Sequence, residues 1–219
     1  LVFLLSLLTY FMLDTYGGTE DASSAIIPLV LAGVLGFLIG LADDAYTTNP
    51  MMKFIGQFVC GILFVVFGAE IQLFDNDIMN YTLTVFWVVG IMNSVNMLDN
   101  MDAVTGSTSM GILMTSVAAM VITGVYGGIE SFVAMSMIGG LIGFLILNWN
   151  PSKVYMGDTG SMFIGVFLAY FGAKLFWNDT NAAGTYAFTR QLILPLLVFL
   201  MPIMDTTFVS IARLSRGQS

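Results

Sequence analysis

Long apolar runs broken by short polar stretches organise this sequence. Eight of them read as helices, at about residues 1–13, 25–42, 53–68, 81–98, 107–123, 131–148, 159–177 and 190–211. The runs are continuous, whereas a membrane barrel would alternate polar and apolar positions over about 10 residues. A helix needs about 20 apolar residues to cross a bilayer. Seven of the runs approach that length. The run at 1–13 is short, has no basic flank and reads as a helix cut by the start of the chain. The stretch "LSRGQS" likewise stops just after a span. The expectation is an all-α fold: one polytopic membrane bundle of about eight helices, a single domain over 1–219, truncated at both ends. The connections are short, as a compact bundle requires.

Composition agrees. The chain is 58% hydrophobic and 9% charged, against about 25% charged in a soluble domain. The one cysteine, Cys60, lies inside an apolar run and supports neither a disulfide framework nor a thiolate metal site. Histidine is absent, so acid–base chemistry falls to carboxylates, lysine or water. The net charge of −8 argues against a nucleic-acid partner.

Charge placement adds sidedness. Loops alternate between two faces, and Lys53, Lys153, Arg213 and Arg216 fall on one of them. Only Lys174 and Arg190 fall on the other, so the first face is read as cytoplasmic. Eight acids lie in the outer loops. The remaining six, Asp43, Asp44, Asp99, Asp102, Asp158 and Asp205, come from separate regions yet all map to the cytoplasmic side. That distribution suits a site built from several loops.

Four stretches carry the candidate chemistry. "GLADDA" closes one span with adjacent carboxylates, Asp43 and Asp44, which point about 100° apart on a helix and can take different roles. "NSVNMLDNMD" follows another span. Continued as an ideal helix, it places Asn93, Asn96 and Asn100 on one strip and Asp99 and Asp102 on the next. Oxygen donors without His or Cys suit Mg²⁺ rather than Zn²⁺. In "NWNPSKVYMGDTGS", Pro151 bends the chain and Gly157 and Gly160 flank Asp158. Thr159 or Ser161 is expected to cap the next helix, whose N-terminus could cradle a phosphate. "PIMDTTFVSIARL" holds Asp205 inside a span, where an acid is a functional candidate by default. Lys53 and Lys153 stand beside the acids, either as plain positive-inside residues or as phosphate contacts. Together these features suit a Mg²⁺-dependent reaction on phosphates with one lipid substrate.

In these stretches the sequence resembles the polyprenyl-phosphate N-acetylhexosamine-1-phosphate transferases. "GLADD", "NSVNMLDNMDAVTG", "NWNPSKVYMGDTGS" and "PIMDTTFVSIARLSRG" match in order, and the pattern is nearest to bacterial enzymes that load N-acetylglucosamine-1-phosphate onto undecaprenyl phosphate. The resemblance implies that a UDP-HexNAc and undecaprenyl phosphate react at the cytoplasmic face of the bacterial inner membrane and release UMP. It implies Asp43 as base, or as nucleophile in a two-step scheme, with Asp44 supporting phosphate and metal. It implies Asn96 and Asp158 as Mg²⁺ ligands, and Asp99 and Asp102 on the nucleotide side. Asn148 and Tyr155 fall near the diphosphate and base, and Asn93 and Lys53 join the substrate-binding set. A homodimer is compatible with it. The family's second motif reads Asp-Gly-x-Asp-Gly, but Asn100 and Ala103 stand at the two Gly places here. An ion-coupled transporter is the main alternative, and it would need acids deep in several spans, where only Asp205 qualifies. An inactive truncated homologue is another. A CDP-alcohol phosphotransferase would need an Asp-Gly-x-x-Ala-Arg motif, which is not found.

Overall fold

The structure is a computed structural model that describes residues 22–178 and 187–217. Eight α-helices run in order: α1 Ala22–Tyr46, α2 Pro50–Val66, α3 Asp77–Leu98, α4 Val104–Thr123, α5 Ile129–Asn148, α6 Gly157–Phe171, α7 Ala187–Val198 and α8 Leu200–Ser215. There is no strand among the described residues. The helix expected at 1–13 lies outside them. Among the described residues five helices are long and apolar enough to cross a membrane, or six if the bent pair α7 and α8 forms one span, against the eight expected over the whole chain.

Local chemistry sets the helix ends. Asn49 Oδ1 accepts from Met51 N at 2.9 Å, and Pro50 opens α2 where its missing N–H costs nothing. Asn76 Oδ1 does the same for α3, accepting from Ile78 N and Met79 N. Gly124 ends α4 in the left-handed conformation, which lacks a Cβ penalty only for glycine.

α6 is the central helix. Its most apolar window, continued through Trp177, is 72% buried, against at most 44% for the other spans. In lipid, helices gain little from hydrophobicity alone and pack through small residues and buried hydrogen bonds. Both devices are used here. Gly33, Gly36 and Gly40 form one stripe of α1 against Phe167, Val166 and the Asp158–Thr159 backbone of α6. On the other flank Gly165 of α6 lies against Met92 of α3, and Trp87 Nε1 donates to Ala169 O at 2.9 Å. Cys60 is buried, with Sγ 3.7 Å from Ala32 O.

Two expectations are corrected. The span expected at 190–211 is two helices, α7 and α8, bent by 73° at Phe199. Pro202 has no N–H for the Val198 carbonyl, so the ladder breaks there. Phe199 leaves helical geometry and is fully buried, with its ring 5.0 Å from Trp87 and 6.4 Å from Phe176. The span expected at 159–177 keeps α-geometry only to Phe171. Residues Gly172–Trp177 are a π-helical segment, where Gly172 admits the Trp87 ring.

Candidate active site at one end of the bundle

The C-terminal ends of α1, α3 and α5 and the N-terminal ends of α2, α4 and α6 meet at one end of the molecule. Asp43 and Asp44 lie in the last turn of α1, inside the helix rather than after it. Asp43 Oδ1 accepts from Thr48 N at 2.9 Å and Thr48 Oγ1 at 2.5 Å, across the short α1–α2 turn. Its Oδ2 accepts from Lys53 Nζ at 2.9 Å. The same ammonium contacts Asp158 Oδ2 on α6. Asp158 Oδ1 accepts from Asn96 Nδ2 at 2.7 Å, and that Nδ2 also donates to Ser161 Oγ at 3.0 Å. Asp43, Lys53, Asp158 and Asn96 therefore form one continuous polar chain linking α1, α2, α6 and α3.

The chain borders a cavity of about 340 Å³ lined by Asp43, Thr48, Lys53, Gln57, Asn93 and Asn96 among others. Asn93 is exposed there, with Nδ2 3.6 Å from Met97 Sδ.

Asp44 has a different task. Its Oδ1 accepts from Asp158 N at 3.0 Å, and its Oδ2 accepts from Thr159 N at 2.9 Å and Thr159 Oγ1 at 2.5 Å. The expected capping by Thr159 or Ser161 is thus corrected: the cap of α6 is a carboxylate from α1, 114 residues away. The positive end of the helix holds that carboxylate where the sequence suggested a phosphate. Gly157, at φ +65°, makes room, since a Cβ there would lie 2.9 Å from Asp44 Oδ2.

The strips drawn for 93–102 are also corrected. α3 ends at Leu98, so Asn100 and Asp102 leave the helix. Asn100 is exposed and its amide turns back to the Met97 carbonyl. Asp99 is half-buried at the helix end. Burial pushes its carboxyl above the ordinary range, the Asp158 and Asp44 charges add to this, and the Thr105 hydroxyl and Gly157 backbone pull the other way. Asp102 Oδ2 accepts from Asn150 Nδ2 at 3.1 Å and Ser152 N at 3.3 Å, which fastens the 149–156 loop. Buried Asn148 serves the same loop: its Oδ1 accepts from Ala103 N at 2.9 Å and its Nδ2 donates to Val154 O at 2.8 Å.

Ala103, at a usual Gly place, has φ +63°, a left-handed conformation that strains any residue with a Cβ. Asn100, at the other Gly place, has no positive φ.

The structure does not bring every candidate to the cavity. Tyr155 is exposed and lines a separate, mostly apolar groove of about 410 Å³ with Phe144, Gly160 and Phe163. Asp44, Asp99, Asp102, Asn148 and Asp158 are outside the cavity lining, and Asp158 reaches it only through Lys53 and Asn96. Lys153 is exposed on its loop. Asp205 makes no hydrogen bond or ion pair with the described residues. No three acids among the described residues converge into a metal cage. Sequence reasoning missed Thr48, whose only signal was its place in the turn after the acid pair. It also missed Gly40, whose signal was the Gly33–Gly36–Gly40 spacing.

Apolar helices with carboxylates, amides and a lysine gathered at one rim define a multi-pass membrane protein with a polar site at the membrane boundary. The chain belongs to glycosyl transferase family 4, whose profile matches residues 26–175 and so takes in every residue from Asp43 to Asp158. It is 30% identical to a probable undecaprenyl-phosphate N-acetylglucosaminyl 1-phosphate transferase of Bacillus subtilis (strain 168), over 91% of this chain and 55% of that protein. It is 33% identical to a phospho-N-acetylmuramoyl-pentapeptide-transferase of Streptococcus pneumoniae (strain Hungary19A-6), over 69% of this chain and 49% of the relative. A Streptococcus sanguinis (strain SK36) protein of the same name is 31% identical, over 80% and 58%. The chain thus spans about half the length of the curated relatives it matches.

Proposed function

We propose that this chain carries the catalytic end of a transferase that moves a HexNAc-1-phosphate, in the first instance GlcNAc-1-phosphate, from a UDP-sugar to undecaprenyl phosphate. The observation that supports this most is the Asp43–Lys53–Asp158–Asn96 chain beside a cavity at one rim of an apolar bundle. An acceptor anchored in lipid would present its phosphate at that level, and a soluble nucleotide sugar would arrive from the aqueous side. An oxygen of the lipid phosphate attacks the sugar-bearing phosphorus, the bond from that phosphorus to the UMP oxygen breaks, and UMP leaves. The excess of Lys and Arg on this face argues for a cytoplasmic site in the plasma membrane.

Asp43 is the proposed base. It is fixed by Thr48 on one oxygen and faces the cavity on the side of Lys53. Asp158 and Asn96 are the proposed holders of Mg²⁺. The donor chemistry fits, because two carboxylates already share one cation, the Lys53 ammonium, between them. Mg²⁺ typically takes one or two carboxylates and completes its shell with water and substrate phosphates, so a full protein cage is not required. When bound, the ion would offset phosphate charge. Asp44 and Asn148 are proposed to act by positioning, the first fixing α6 and the second the 149–156 loop.

Membranes carrying the complete reading frame should release UMP from UDP-GlcNAc when given undecaprenyl phosphate and Mg²⁺. Absence of UMP with every UDP-HexNAc donor would refute the reading. Asp158→Ala should abolish release while the protein still inserts in the membrane.

A further inference from the structure

Each oxygen of Asp158 holds one partner. Asn96 Nδ2 covers Oδ1 at 2.7 Å and the Lys53 ammonium covers Oδ2. Asp43 is equally occupied, by Thr48 on Oδ1 and by the same ammonium on Oδ2. A divalent cation needs direct access to a carboxylate oxygen, at about 2.0–2.1 Å for Mg²⁺. It also repels a neighbouring ammonium. A metal on Asp158 Oδ2 therefore competes with the Lys53 ammonium for that oxygen, and the two stand side by side only at an electrostatic cost.

Lys53 has room to move. It sits in the first turn of α2 at the edge of the cavity, on a flexible four-carbon stem. The cavity beyond it, about 340 Å³, is walled by Thr47, Phe54, Gln57 and Asn93, and contains no second carboxylate besides Asp43. An ammonium displaced from Asp158 into that space would keep Asp43 within reach and lack a second anionic partner. A phosphate entering the cavity would supply one.

We propose that Lys53 is a positioning residue with two stations. In the first it bridges Asp43 and Asp158 and opposes a cation there with its own charge. In the second it has released Asp158 to the divalent cation and pairs with the phosphate of the lipid acceptor. The first station stands on geometry alone; the second rests on the transferase reading above. The device ties metal entry to phosphate entry, so that the ion is held firmly only when a phosphate has drawn the lysine away.

The test is a Mn²⁺ titration followed by electron paramagnetic resonance, on the purified full chain in detergent without nucleotide or lipid. Lys53→Met should bind Mn²⁺ at least about tenfold more tightly than wild type, because a competing charge a few ångströms away is gone. Lys53→Arg, which keeps the charge, should stay within about threefold of wild type. Adding Asp158→Asn to Lys53→Met should cancel the gain. If Lys53→Met does not elute as a folded species, Lys53→Gln carries the same expectation. With Mn²⁺ saturating, undecaprenyl phosphate in micelles should bind Lys53→Met about tenfold more weakly than wild type. Unchanged or weaker Mn²⁺ binding by the neutral variants would overturn the first station. Unchanged lipid-phosphate binding would overturn the second. Neither binding arm needs turnover, so a failure of UMP release leaves the Mn²⁺ comparison readable.

Discussion

Gly40 is where the fold and the site are joined most tightly. A Cβ at this position would lie 2.3 Å from Asp158 O and 2.5 Å from Asp158 C and Thr159 Cα. These are backbone atoms of α6, and no rotamer change can move them. Restoring an ordinary contact of about 3.5 Å requires α1 and α6 to part by roughly 1 Å. The same crossing carries the Asp44 cap, with bonds of 3.0, 2.9 and 2.5 Å to the first turn of α6. Parting by that distance stretches most of the cap beyond hydrogen-bond range. Overpacking costs about 1–3 kcal/mol, and weakening charge-assisted bonds adds about 1.5–3 kcal/mol. The better helix propensity of alanine returns about 1 kcal/mol. Gly40→Ala should therefore lose about 1.5–5 kcal/mol, read as a fall in the thermal unfolding midpoint in detergent. UMP release should fall about 100-fold, since roughly 1 Å of misplacement between Asp43 and Asp158 is of the size that costs catalysis that much. Gly143→Ala on α5 is the matched control: a Cβ there meets nothing within 4 Å, so stability should hold or rise. A Gly40→Ala protein with the wild-type midpoint and wild-type turnover would refute the close-crossing argument.

Two further expectations concern the turn after α3. Ala103→Gly relieves the left-handed strain at φ +63° but loosens the unfolded chain, so it should gain about 0–1 kcal/mol in unfolding and leave the Asn148 contact to its backbone N–H intact; a clear loss of stability would contradict the strain assignment. Asp99 is held above the ordinary carboxylate range by burial, so the folded state binds its proton more tightly than the unfolded state does. The sign follows: its contribution to stability is present at low pH and is lost as pH rises from about 4 through the raised value. Asp99→Asn should raise the unfolding midpoint near pH 7 and give a shrinking advantage toward pH 4, checked by pH-resolved thermal unfolding; an advantage independent of pH would point to packing instead.

The spans that could be read in the sequence are those whose signal is local. Apolar length alone located α2 to α6 within four residues at each start, because each must satisfy its own backbone inside lipid. The break at Phe199 was hidden, since membrane helices tolerate proline, and neither Pro195 nor Pro202 announces a bend. Pro202 permits the break, but the pocket of Trp87 and Phe176 that takes Phe199 is distant in sequence, and no local pattern reports it. The Asp44 cap was hidden for the same reason. Helical spacing already allowed Asp43 and Asp44 different roles, but only the packing of α1 on α6 shows that Asp44 is the cap. Ala103 is the opposite case. Its place in the motif, where glycine is usual, already signalled a special backbone position, and the left-handed turn supplies the physical reason.

Sorting the acids by what holds them narrows the chemistry. Six carboxylates map to one face of the sequence, which suggests an acid-rich metal centre. In the folded chain Asp44 caps α6, Asp102 fastens the 149–156 loop, and Asp205 takes no part in the polar chain. Asp99 is half-buried beside Thr105, in an environment that favours its neutral form. Asp43 and Asp158 remain, and they are joined through one ammonium. Two carboxylates and one lysine are too few to bind a divalent ion as a closed protein site. They are enough to share one with phosphates, whose own oxygens complete the shell. On that arithmetic the proposed ion would be held by the protein together with its substrates. Metal affinity measured without phosphate should then be weak for the wild-type chain and strengthen when a phosphate enters. Such a dependence on phosphate would separate the proposed site from a preformed cage.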